Sequence, residues 1–469
     1  MSGENLYTTF HRAAERHPGG DAVVHGDRTL TYAQLDGLSR RIAAGLAHLG
    51  VQVGDRVLVY APNSPEILAI YYACAYLGAI FAPVNPSFRT SEMSYIVKNA
   101  EARVAIVHAE RLEYIQSLND ATIASTLVVM AGDDHAGERV AFEDLLVERP
   151  VPEQARIAED MPALICYTSG TTSTPKPVLL SHLNEVYSAQ TYADIWNLGP
   201  GDRAVVSMPL AWAYGLSTTS MSLLSAGSTV LLLSRFHPVE VLEEIERRSA
   251  TIFFGTMSMY SKMLDVLGRK SFDLSSLRMC MNGGEACPDE AVRAFEALTG
   301  LTPIQAYAAS EAKPLIAVRA DDASPPFNTS GQLVPGAKIR LLTDTGARAA
   351  LGEPGEAEAW CPGLMLGYHR EPEMTAEKLT EDGWLKTGDL VVEGARGYFR
   401  VVGRRSEMII RSGANIAPAE VESALLGHPD VAAAGVVGLP DPLSGEAVIA
   451  MIIPATAAGV DTADLQAHL

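Results

Sequence analysis

The sequence has few cysteines and no grouping of them that would hold a metal ion. Its 469 residues include five cysteines, scattered along the chain without a CxxC pair or a Cys/His cluster. This distribution argues against a disulfide framework and against a cysteine-ligated zinc site. The N-terminal residues also lack the apolar core of a signal peptide. Together these features predict buried, reduced thiols in a cytoplasmic protein.

Long apolar runs and an excess of positive charge are lacking as well. No uninterrupted apolar stretch approaches the ~18 residues that a transmembrane helix needs. The most apolar segment, residues 67–84, contains tyrosines and a glycine and is interpreted as a buried helix followed by a strand. Acidic residues number 56 against 36 lysines and arginines, so the net charge is −20. Since such a surface repels phosphate backbones, we expect neither a membrane span nor a nucleic-acid partner.

Apolar strands alternate with amphipathic helices in the first half of the chain. Apolar residues make up 48% of the sequence and charged residues 20%, which excludes a wholly disordered, collagen-like or coiled-coil protein. The pattern is typical of parallel sheets with helices on both faces. The predicted strands are 57–60, 80–84, 104–107, 204–207, 229–233 and 251–254, and the predicted helices are 31–49, with Thr31 as N-cap, 64–77, 91–99 and 238–248.

The pattern changes towards the C-terminus. From about residue 338, short alternating runs separated by glycine-rich turns indicate a small antiparallel β unit. A helix near 419–426 and a strand near 432–437 follow, and residues 464–469 are interpreted as the start of a helix. The predicted fold class is α/β, α+β overall. A large N-terminal domain, 1–402, contains parallel-rich sheets packed with helices and a β-rich subdomain at about 330–402. A small mobile α/β domain, 403–469, is expected to be incomplete in this chain.

A hydroxyl-rich loop follows the apolar run at 163–166. It reads Cys166-Tyr-Thr-Ser-Gly-Thr-Thr-Ser-Thr-Pro-Lys176. Hydroxyls and backbone N–H groups can surround phosphate oxygens, and a lysine adds a positive charge. The spacing is not that of a Walker P-loop. Such a loop alone is also compatible with a solvated linker, but its position directly after a buried strand favours phosphate binding.

This loop resembles the YTSGTTGxPKG signature of the adenylate-forming superfamily, which includes acyl- and aryl-CoA synthetases, luciferases and peptide-synthetase adenylation domains. Further blocks resemble that superfamily in the same order along the chain. They are Gly78–Pro86 (GAIxxPxNP), Asn282–Pro288 (GGExxxP), Gln305–Glu311 (QGYGxTE), Asp382–Asp389 (DGWxxTGD) and Gly403–Glu422 (GRxKDxIKxxGxxIxPxEIE).

The resemblance implies roles for individual residues. Tyr307 would stack on adenine, Ser310 would contact the α-phosphate, Glu311 would hold Mg²⁺, and Asp389 would accept both ribose hydroxyls. Arg404 would bind ribose or phosphate at an interdomain hinge. The implied phosphate-binding residues are Thr168, Ser169, Gly170, Thr171, Thr172 and Lys176, and the implied ATP site also includes Gly284, Glu285, Gln305 and Ala308. The implied catalytic residues are Lys176, Ser310, Glu311 and Arg404.

The resemblance also implies the reaction. A carboxylate attacks the α-phosphorus of ATP, pyrophosphate leaves, and the acyl-adenylate passes to the thiol of coenzyme A or of a carrier-protein phosphopantetheine. The sequence departs from the pattern at Ser173 and Pro177, where glycine is usual. The C-terminal SGK-type motif with the family's catalytic lysine is missing. We interpret the chain as ending before that lysine, the alternative being an enzyme that works without it.

Three segments resemble aryl-acid ligases of the benzoate type, so the expected substrate is an aromatic acid. They are 213–216, 251–255 and 284–286. Trp212, Tyr214, Gly283, Ala309 and Lys313 would line the acid site. Trp212 could instead pack in the core, and Lys313 could pair with a substrate carboxylate or with a nearby acidic residue.

Two other functions are left open. One is changed chemistry within the superfamily, such as an ATP-dependent diazotase that activates nitrite toward an aromatic amine. The other is a degenerate nucleotide-binding protein. The expected partner is a small-molecule acid, and a carrier protein and a homodimer are left open.

Overall fold

The computed structural model describes residues 4–118, 124, 126–131, 139–168, 174–285, 287–411, 414–441, 444–455 and 459–468. The helices are α1 Leu6–Arg16, α2 Tyr32–His48, α3 Pro65–Leu77, α4 Thr90–Ala100, α5 Leu112–Gln116, α6 Phe142–Leu145, α7 His182–Ile195, α8 Ser222–Ser225, α9 Pro238–Arg248, α10 Met257–Leu267, α11 Asp289–Thr299, α12 Pro372–Lys378, α13 Pro418–Leu426 and α14 Thr462–His468.

Strands alternate with these helices through most of the chain. The strands are β1 Asp21–His25, β2 Arg28–Thr31, β3 Arg56–Tyr60, β4 Ile80–Pro83, β5 Val104–His108, β6 Thr126–Met130, β7 Val140–Ala141, β8 Pro162–Thr168, β9 Lys176–Ser181, β10 Arg203–Val206, β11 Thr229–Leu232, β12 Ile252–Gly255, β13 Met279–Gly283, β14 Ile304–Ala309, β15 Ala312–Ala317, β16 Gly331–Leu333, β17 Lys338–Leu342, β18 Pro354–Trp360, β19 Gly367–Tyr368, β20 Leu385–Glu393, β21 Tyr398–Arg404, β22 Ile409–Arg411, β23 Ala414–Ile416, β24 Val431–Asp441 and β25 Gly445–Pro454.

Helix α2 shows how local sequence fixes an element. Thr31 is its N-cap, as predicted: its hydroxyl accepts from the N–H of Gln34 at 3.2 Å, and the Gln34 side chain accepts from the N–H of Thr31 at 2.9 Å. This reciprocal pair satisfies donors that the first turn leaves unpaired. Helix α3 begins with Pro65 at its first position and ends at Gly78, whose φ of 70° closes the last turn. The predicted helices of this region are confirmed.

The strands described form three sheets. The largest has the order β17-β18-β20-β21-β16-β15-β14-β13-β12-β10-β11-β1-β2 and is parallel from β14 through β13, β12, β10 and β11 to β1. The second has the order β19-β9-β8-β4-β3-β5-β6-β7, with its parallel part running from β8 to β7. A C-terminal antiparallel sheet has the order β23-β22-β25-β24. The mixed α/β class is therefore confirmed.

The predicted antiparallel strands near the C-terminus extend the largest sheet rather than forming a sheet of their own. β16 pairs with both β15 and β21, and β21 pairs with β20. Because the sheet is continuous, β20 and β21 belong to the same sheet as β14 and β15. All four strands carry predicted site residues. The proposed boundary at residue 402 stays a prediction.

The main core packs between the two large sheets around the buried helix α3. Tyr71 and Tyr72 on α3, Trp196 after α7 and Phe254 on β12 are all fully enclosed. Helix α3 is apolar around its whole circumference because other elements cover every face. In the part of the chain that is described, no helix combines the length and the hydropathy that a membrane crossing requires. All five cysteines are free thiols, as predicted, and all except Cys287 are buried.

Candidate functional site

The predicted phosphate loop joins two antiparallel strands of the second sheet. Thr168, the last residue of β8, pairs in register with Lys176, the first residue of β9. Both strands are packed in the core close to this end, at Tyr167 and Val178. Of the predicted loop residues, Ser169, Gly170, Thr171 and Thr172 lie outside the described part of the chain, as does Ser173.

The turn between β14 and β15 brings two predicted residues to the same edge. Ala309 pairs with Ala312, which leaves Ser310 and Glu311 as a two-residue turn. The Glu311 carbonyl accepts from the N–H of Met365 at 2.7 Å. Its carboxylate Oε1 accepts from the Tyr368 hydroxyl at 2.7 Å. Since Tyr368 lies on β19 of the other large sheet, this hydrogen bond connects the two sheets at the turn.

The Tyr368 phenol keeps its proton. Its burial, followed by the nearby charge of Glu311, raises the phenol pKa far above the ordinary value. Tyr368 therefore stays the donor in its hydrogen bond to Glu311. A carboxylate oriented in this way is the hard oxygen ligand that Mg²⁺ prefers, so the residue present fits that cation. Sequence reasoning missed Tyr368, because the recognised blocks do not include it.

Asp389 on β20 lies between a donor from β14 and a donor from β21. Its Oδ2 accepts from the Tyr307 hydroxyl at 2.6 Å, and its Oδ1 lies 3.1 Å from Nε of Arg404. Asp389 and Arg404 are register partners on β20 and β21. The Asp389 side chain is 8% exposed, whereas that of Arg404 is 54% exposed. Both carboxylate oxygens are thus presented to donors, an arrangement that two ribose hydroxyls can also satisfy.

Burial raises the pKa of Asp389 above its ordinary value, while the Tyr307 hydroxyl and the Arg404 guanidinium oppose that rise. The backbone N–H of Asp389 donates to the Thr387 hydroxyl at 3.0 Å. The preceding Gly388 has a φ of 77°, which suits glycine, and lies within β20 at an irregularity of its pairing with β18. The TGD block therefore has a structural basis at each of its three residues.

Lys378 is a member of this group that sequence reasoning missed. Burial lowers the pKa of its ammonium, Glu311 opposes the shift, and the charges of Lys176 and Arg404 lower it further. Its Nζ donates to the Lys386 carbonyl at 3.2 Å, which holds the ammonium beside β20, the strand of Asp389. Its position at the end of α12, shortly before the DGW block, is the signal that could have indicated it.

The acid-site residues surround the start of an unusual helical segment. Residues Tyr214–Met221 form a π-helix that continues into α8. The Tyr214 hydroxyl donates to the Gly255 carbonyl at 2.9 Å. A Cβ on Gly283 would lie 3.2 Å from Cζ of Tyr214, so the ring packs directly on that glycine. Tyr214 and Gly283, both predicted for the acid site, are therefore in contact.

Trp212 and Gly215 differ in what surrounds them. Trp212 is 40% exposed, which is not the environment of a core tryptophan. Gly215 is enclosed, and a Cβ there would lie 2.4 Å from the Pro209 carbonyl oxygen, so only glycine fits without a shift of the backbone. Ala309, the last residue of β14, is half-buried at the same edge. The indole is thus available to a ligand beside the π-helix.

Two residues predicted for the ATP site, Glu285 and Gln305, have side-chain partners in this structure. The Glu285 carboxylate accepts from the N–H and hydroxyl of Ser258, at 2.9 and 2.7 Å, in the first turn of α10. The Gln305 amide donates to Asn328, whose own amide donates to the Cys287 carbonyl at 2.7 Å. Gly284 has a φ of 81°, a conformation that favours glycine. Ala308 sits at an irregularity of the β14–β15 pairing next to Tyr307.

Lys313 is almost completely enclosed. Its ammonium is bonded to the carboxylate of Glu185, and the two side chains are 1% and 0% exposed. Of the two interpretations of Lys313, pairing with a nearby acidic residue is the one this structure shows. Glu185 lies on α7 outside every recognised block, so the sequence offered no signal for it.

Comparisons with known proteins agree with this geometry. Residues 10–369 match the family described as AMP-binding enzyme, and residues 420–469 match its C-terminal domain. A feruloyl-CoA synthase from Amycolatopsis sp is 36% identical over 100% of this chain and 92% of the relative. An indoleacetate–CoA ligase from Aromatoleum aromaticum is 35% identical over 94% of this chain and 87% of the relative.

Solved structures match over nearly the whole chain. An anthranilate CoA ligase in complex with anthranoyl-AMP has a TM-score of 0.92 at 26% identity, covering 100% of this chain and 91% of that one. ATP-bound MatB from Rhodopseudomonas palustris has a TM-score of 0.91 at 26% identity, covering 99% and 92%. The chain therefore belongs to the AMP-binding enzyme family and is an ATP-dependent, adenylate-forming ligase that activates an acid.

Proposed function

We propose that this enzyme activates an aromatic carboxylic acid as its acyl-adenylate and transfers the acyl group to coenzyme A. The observation that carries the proposal is the convergence of Asp389, Tyr307 and Arg404 with the Ser310–Glu311 turn, together with the exposed Trp212 next to Tyr214, where we place an acid slot. A diol-binding carboxylate, a cation-binding carboxylate and an aromatic slot are the parts that such a reaction needs. The free cysteines support a reducing compartment such as the cytoplasm.

The ATP would be held at three places along its length. Tyr307 would contact the adenine and Asp389 the ribose hydroxyls, with Arg404 held beside the ribose by its pairing to Asp389. Lys176 and Lys378 would place positive charge next to the phosphates, and the Ser310 hydroxyl would donate to an α-phosphate oxygen. Glu311 would hold Mg²⁺, which when bound would neutralise phosphate charge. The residues position the reactants and stabilise charge, because little covalent work falls to the protein.

The acid would lie with its ring between Tyr214 and Trp212. Gly283 leaves room for the Tyr214 ring, which is fixed by its hydrogen bond to Gly255, and Ala309 adds a small side chain at the edge of β14. In the first step an acid oxygen bonds to the α-phosphorus and the bond to pyrophosphate breaks. In the second step the thiol sulfur bonds to the acyl carbon, AMP leaves, and the thiol proton is released. The feruloyl and indoleacetate substrates of the relatives support an aromatic acid. A carrier-protein acceptor and a homodimer stay predictions.

The test is acid-dependent release of pyrophosphate from ATP, followed by mass spectrometry of the products with coenzyme A. The panel contains a hydroxycinnamate, indoleacetate, anthranilate, sulfoacetate, a long-chain fatty acid, and nitrite with an aminoaryl acid. We expect the highest kcat/KM with one of the aromatic acids and a product of the mass of its CoA thioester. Preference for the fatty acid, for sulfoacetate or for nitrite would overturn the aromatic-acid proposal.

Trp212→Ala is expected to change the relative use of acids without weakening ATP binding. The indole is exposed beside the slot, and its loss removes stacking contacts worth ~0.5–1.5 kcal/mol for a flat substrate. Opening the slot should also favour bulkier rings. The measurement is the ratio of kcat/KM for a one-ring and a two-ring acid, with the melting temperature taken on the same preparation. Trp360→Ala is the matched control. Trp360 lies on β18, and the Lys338 ammonium lies 4.9 Å from the centre of its ring. A lower melting temperature with an unchanged ratio would assign Trp212 to packing.

Lys378→Gln is expected to raise the KM for ATP about fivefold, which corresponds to the ~1 kcal/mol of a partly screened charge. The effect should depend on pH. Because burial lowers the Lys378 pKa, its positive charge is lost at a lower pH than that of an ordinary lysine. ATP affinity of the parent should therefore decline as pH rises through that lowered value, whereas the variant should lack this decline. Lys386→Gln, an exposed lysine on β20, is the control. The same alkaline profile in parent and variant would remove Lys378 from the site.

A further inference from the structure

A buried charge network links elements that carry or adjoin residues proposed for the acid and cation sites. Its centre is the carboxylate of Glu185, which is 0% exposed. This carboxylate accepts from the Tyr71 hydroxyl at 2.6 Å, from the Ser217 hydroxyl at 2.7 Å, and from the ammonium of Lys313. We call these four residues the Glu185 network. Each donor arrives from a different element, so the carboxylate joins four parts of the fold at one point.

Two of those elements carry or adjoin residues that are proposed to bind the acid and the cation. Ser217 lies fully buried in the π-helix that begins at Tyr214, and we call this segment the acid wall. Lys313 lies at the start of β15, two residues after Glu311 in the turn that would hold the cation. The remaining two elements, α3 with Tyr71 and α7 with Glu185, are buried core helices. The network therefore connects the acid wall and the phosphate turn to the same rigid base.

The packing around Lys313 leaves little freedom. Its N–H donates to the Gly363 carbonyl at 3.4 Å, and a Cβ on Gly363 would lie 1.8 Å from the Lys313 carbonyl oxygen. The backbone that follows the Ser310–Glu311 turn is thus held closely on one side and fixed by the ion pair on the other. A buried ion pair seldom adds stability over an apolar pair of similar volume, but its bonds are directional and specify a geometry.

We propose that Glu185 and Lys313 are positioning residues that hold the acid wall and the Ser310–Glu311 turn in the separation required for attack on the α-phosphorus. This inference rests on the proposed function for the roles of Tyr214 and Glu311. Neither residue touches substrate. They act through Ser217 on the acid wall and through the backbone of β15 on the turn. Displacements of about an ångström between reactants can cost on the order of 10²-fold in rate, so loss of the network should appear in kcat.

The informative variant removes both charges and keeps the volume. In Glu185→Gln/Lys313→Met, the glutamine oxygen can still accept from Tyr71 and Ser217, and no unpaired charge is left in the core. Each single variant leaves one, so the melting temperature should fall by roughly 5 °C or more in the singles and recover in the double variant. Ser217→Ala is a milder variant that disconnects the acid wall alone.

Asp202→Asn/Arg278→Met is the matched control. Asp202 accepts from Arg278 at 2.8 and 2.9 Å in another charge network of the largest sheet. These residues precede β10 and β13, at the opposite ends of strands whose far ends reach the proposed site. The control therefore removes an ion pair without disturbing the acid wall or the turn.

With the double variant we expect kcat for acid-dependent pyrophosphate release to fall at least 10-fold. The KM for ATP should stay within about threefold, and the Mg²⁺ concentration for half-maximal rate should rise. Ser217→Ala should raise the KM for the acid. A double variant with the parental melting temperature and a kcat within about twofold of the control, together with an unaltered Ser217→Ala, would overturn the positioning role.

A parent that releases no pyrophosphate with any acid would reject the proposed function and not this inference. In that case the inference is tested by the change in melting temperature on adding ATP, measured once with Mg²⁺ and once with a chelator. Here the Mg²⁺-dependent part of the shift should shrink by half or more in the double variant and persist in the control. An unchanged Mg²⁺-dependent shift would overturn the positioning role.

Discussion

Glu311→Gln should lower the rate of acid-dependent pyrophosphate release by roughly 10²-fold or more, with a much smaller change in ATP affinity. The amide keeps the volume and can accept from the Tyr368 hydroxyl, but it lacks the negative charge that would hold Mg²⁺. Single electrostatic groups aimed at the reacting centre are typically worth about 10²–10³-fold in rate. The rate of the variant should also require higher Mg²⁺ concentrations.

Glu371→Gln is the control for this substitution. Its carboxylate accepts from the Tyr95 hydroxyl at 2.8 Å, so it repeats the Tyr–Glu hydrogen bond of Tyr368 and Glu311 at a different place. We expect near-parental kinetics for it. Equal Mg²⁺ dependence in the Glu311 variant and the parent would falsify the cation-binding assignment.

Asp389→Asn should weaken ATP binding about 10²-fold while leaving the unliganded protein as stable as the parent or more so. A hydrogen bond to a charged acceptor is worth ~1.5–3 kcal/mol, and Asp389 would offer two to the ribose. In the unliganded protein, burial disfavours the ionised carboxylate and raises its pKa, so the charge itself costs stability. Isothermal titration calorimetry with ATP and melting curves without ligand measure the two effects separately.

The pH dependence of stability follows from the same shift. A carboxyl group whose pKa is raised on folding binds more protons in the folded than in the unfolded protein between the ordinary value and the raised one. The free energy of unfolding should therefore decline as pH rises through that window, and Asp389→Asn should lack this decline. ATP affinity should move the opposite way, because the ionised form accepts the ribose hydroxyls. A variant that binds ATP like the parent would remove Asp389 from the nucleotide site.

Elements whose patterns depend on near neighbours could be predicted from the sequence. Thr31 and Gln34 fix the start of α2 through their own hydrogen bonds, and Pro65 and Gly78 fix the ends of α3. The buried strands are recognisable because continuous apolar runs bounded by turns have few alternatives. The π-helix at Tyr214–Met221 was not predicted, since its apolar and hydroxyl residues have no distinctive period.

In the candidate site, too, residues of local motifs could be predicted, whereas contacts between distant segments could not. The recognised motifs indicated Glu311, Tyr307, Asp389 and Arg404, and the structure brings Tyr307, Asp389 and Arg404 into direct contact. Tyr368 was missed, because its hydrogen bond to Glu311 spans two sheets. Glu285 and Gln305 were assigned to nucleotide binding, whereas their side chains are bonded here to Ser258 and Asn328. That assignment remains a prediction.

The sequence alone determined the fold class, the family resemblance and the order of the chemical blocks, because each depends on residues close together in the chain. Only the tertiary structure decided which charges meet. Lys313 and Glu185 are 128 positions apart, and no local pattern distinguishes a lysine that faces a substrate from one enclosed with a carboxylate. That outcome depends on how α7 and β15 pack, and the cost of burying an unpaired charge then makes each residue require the other.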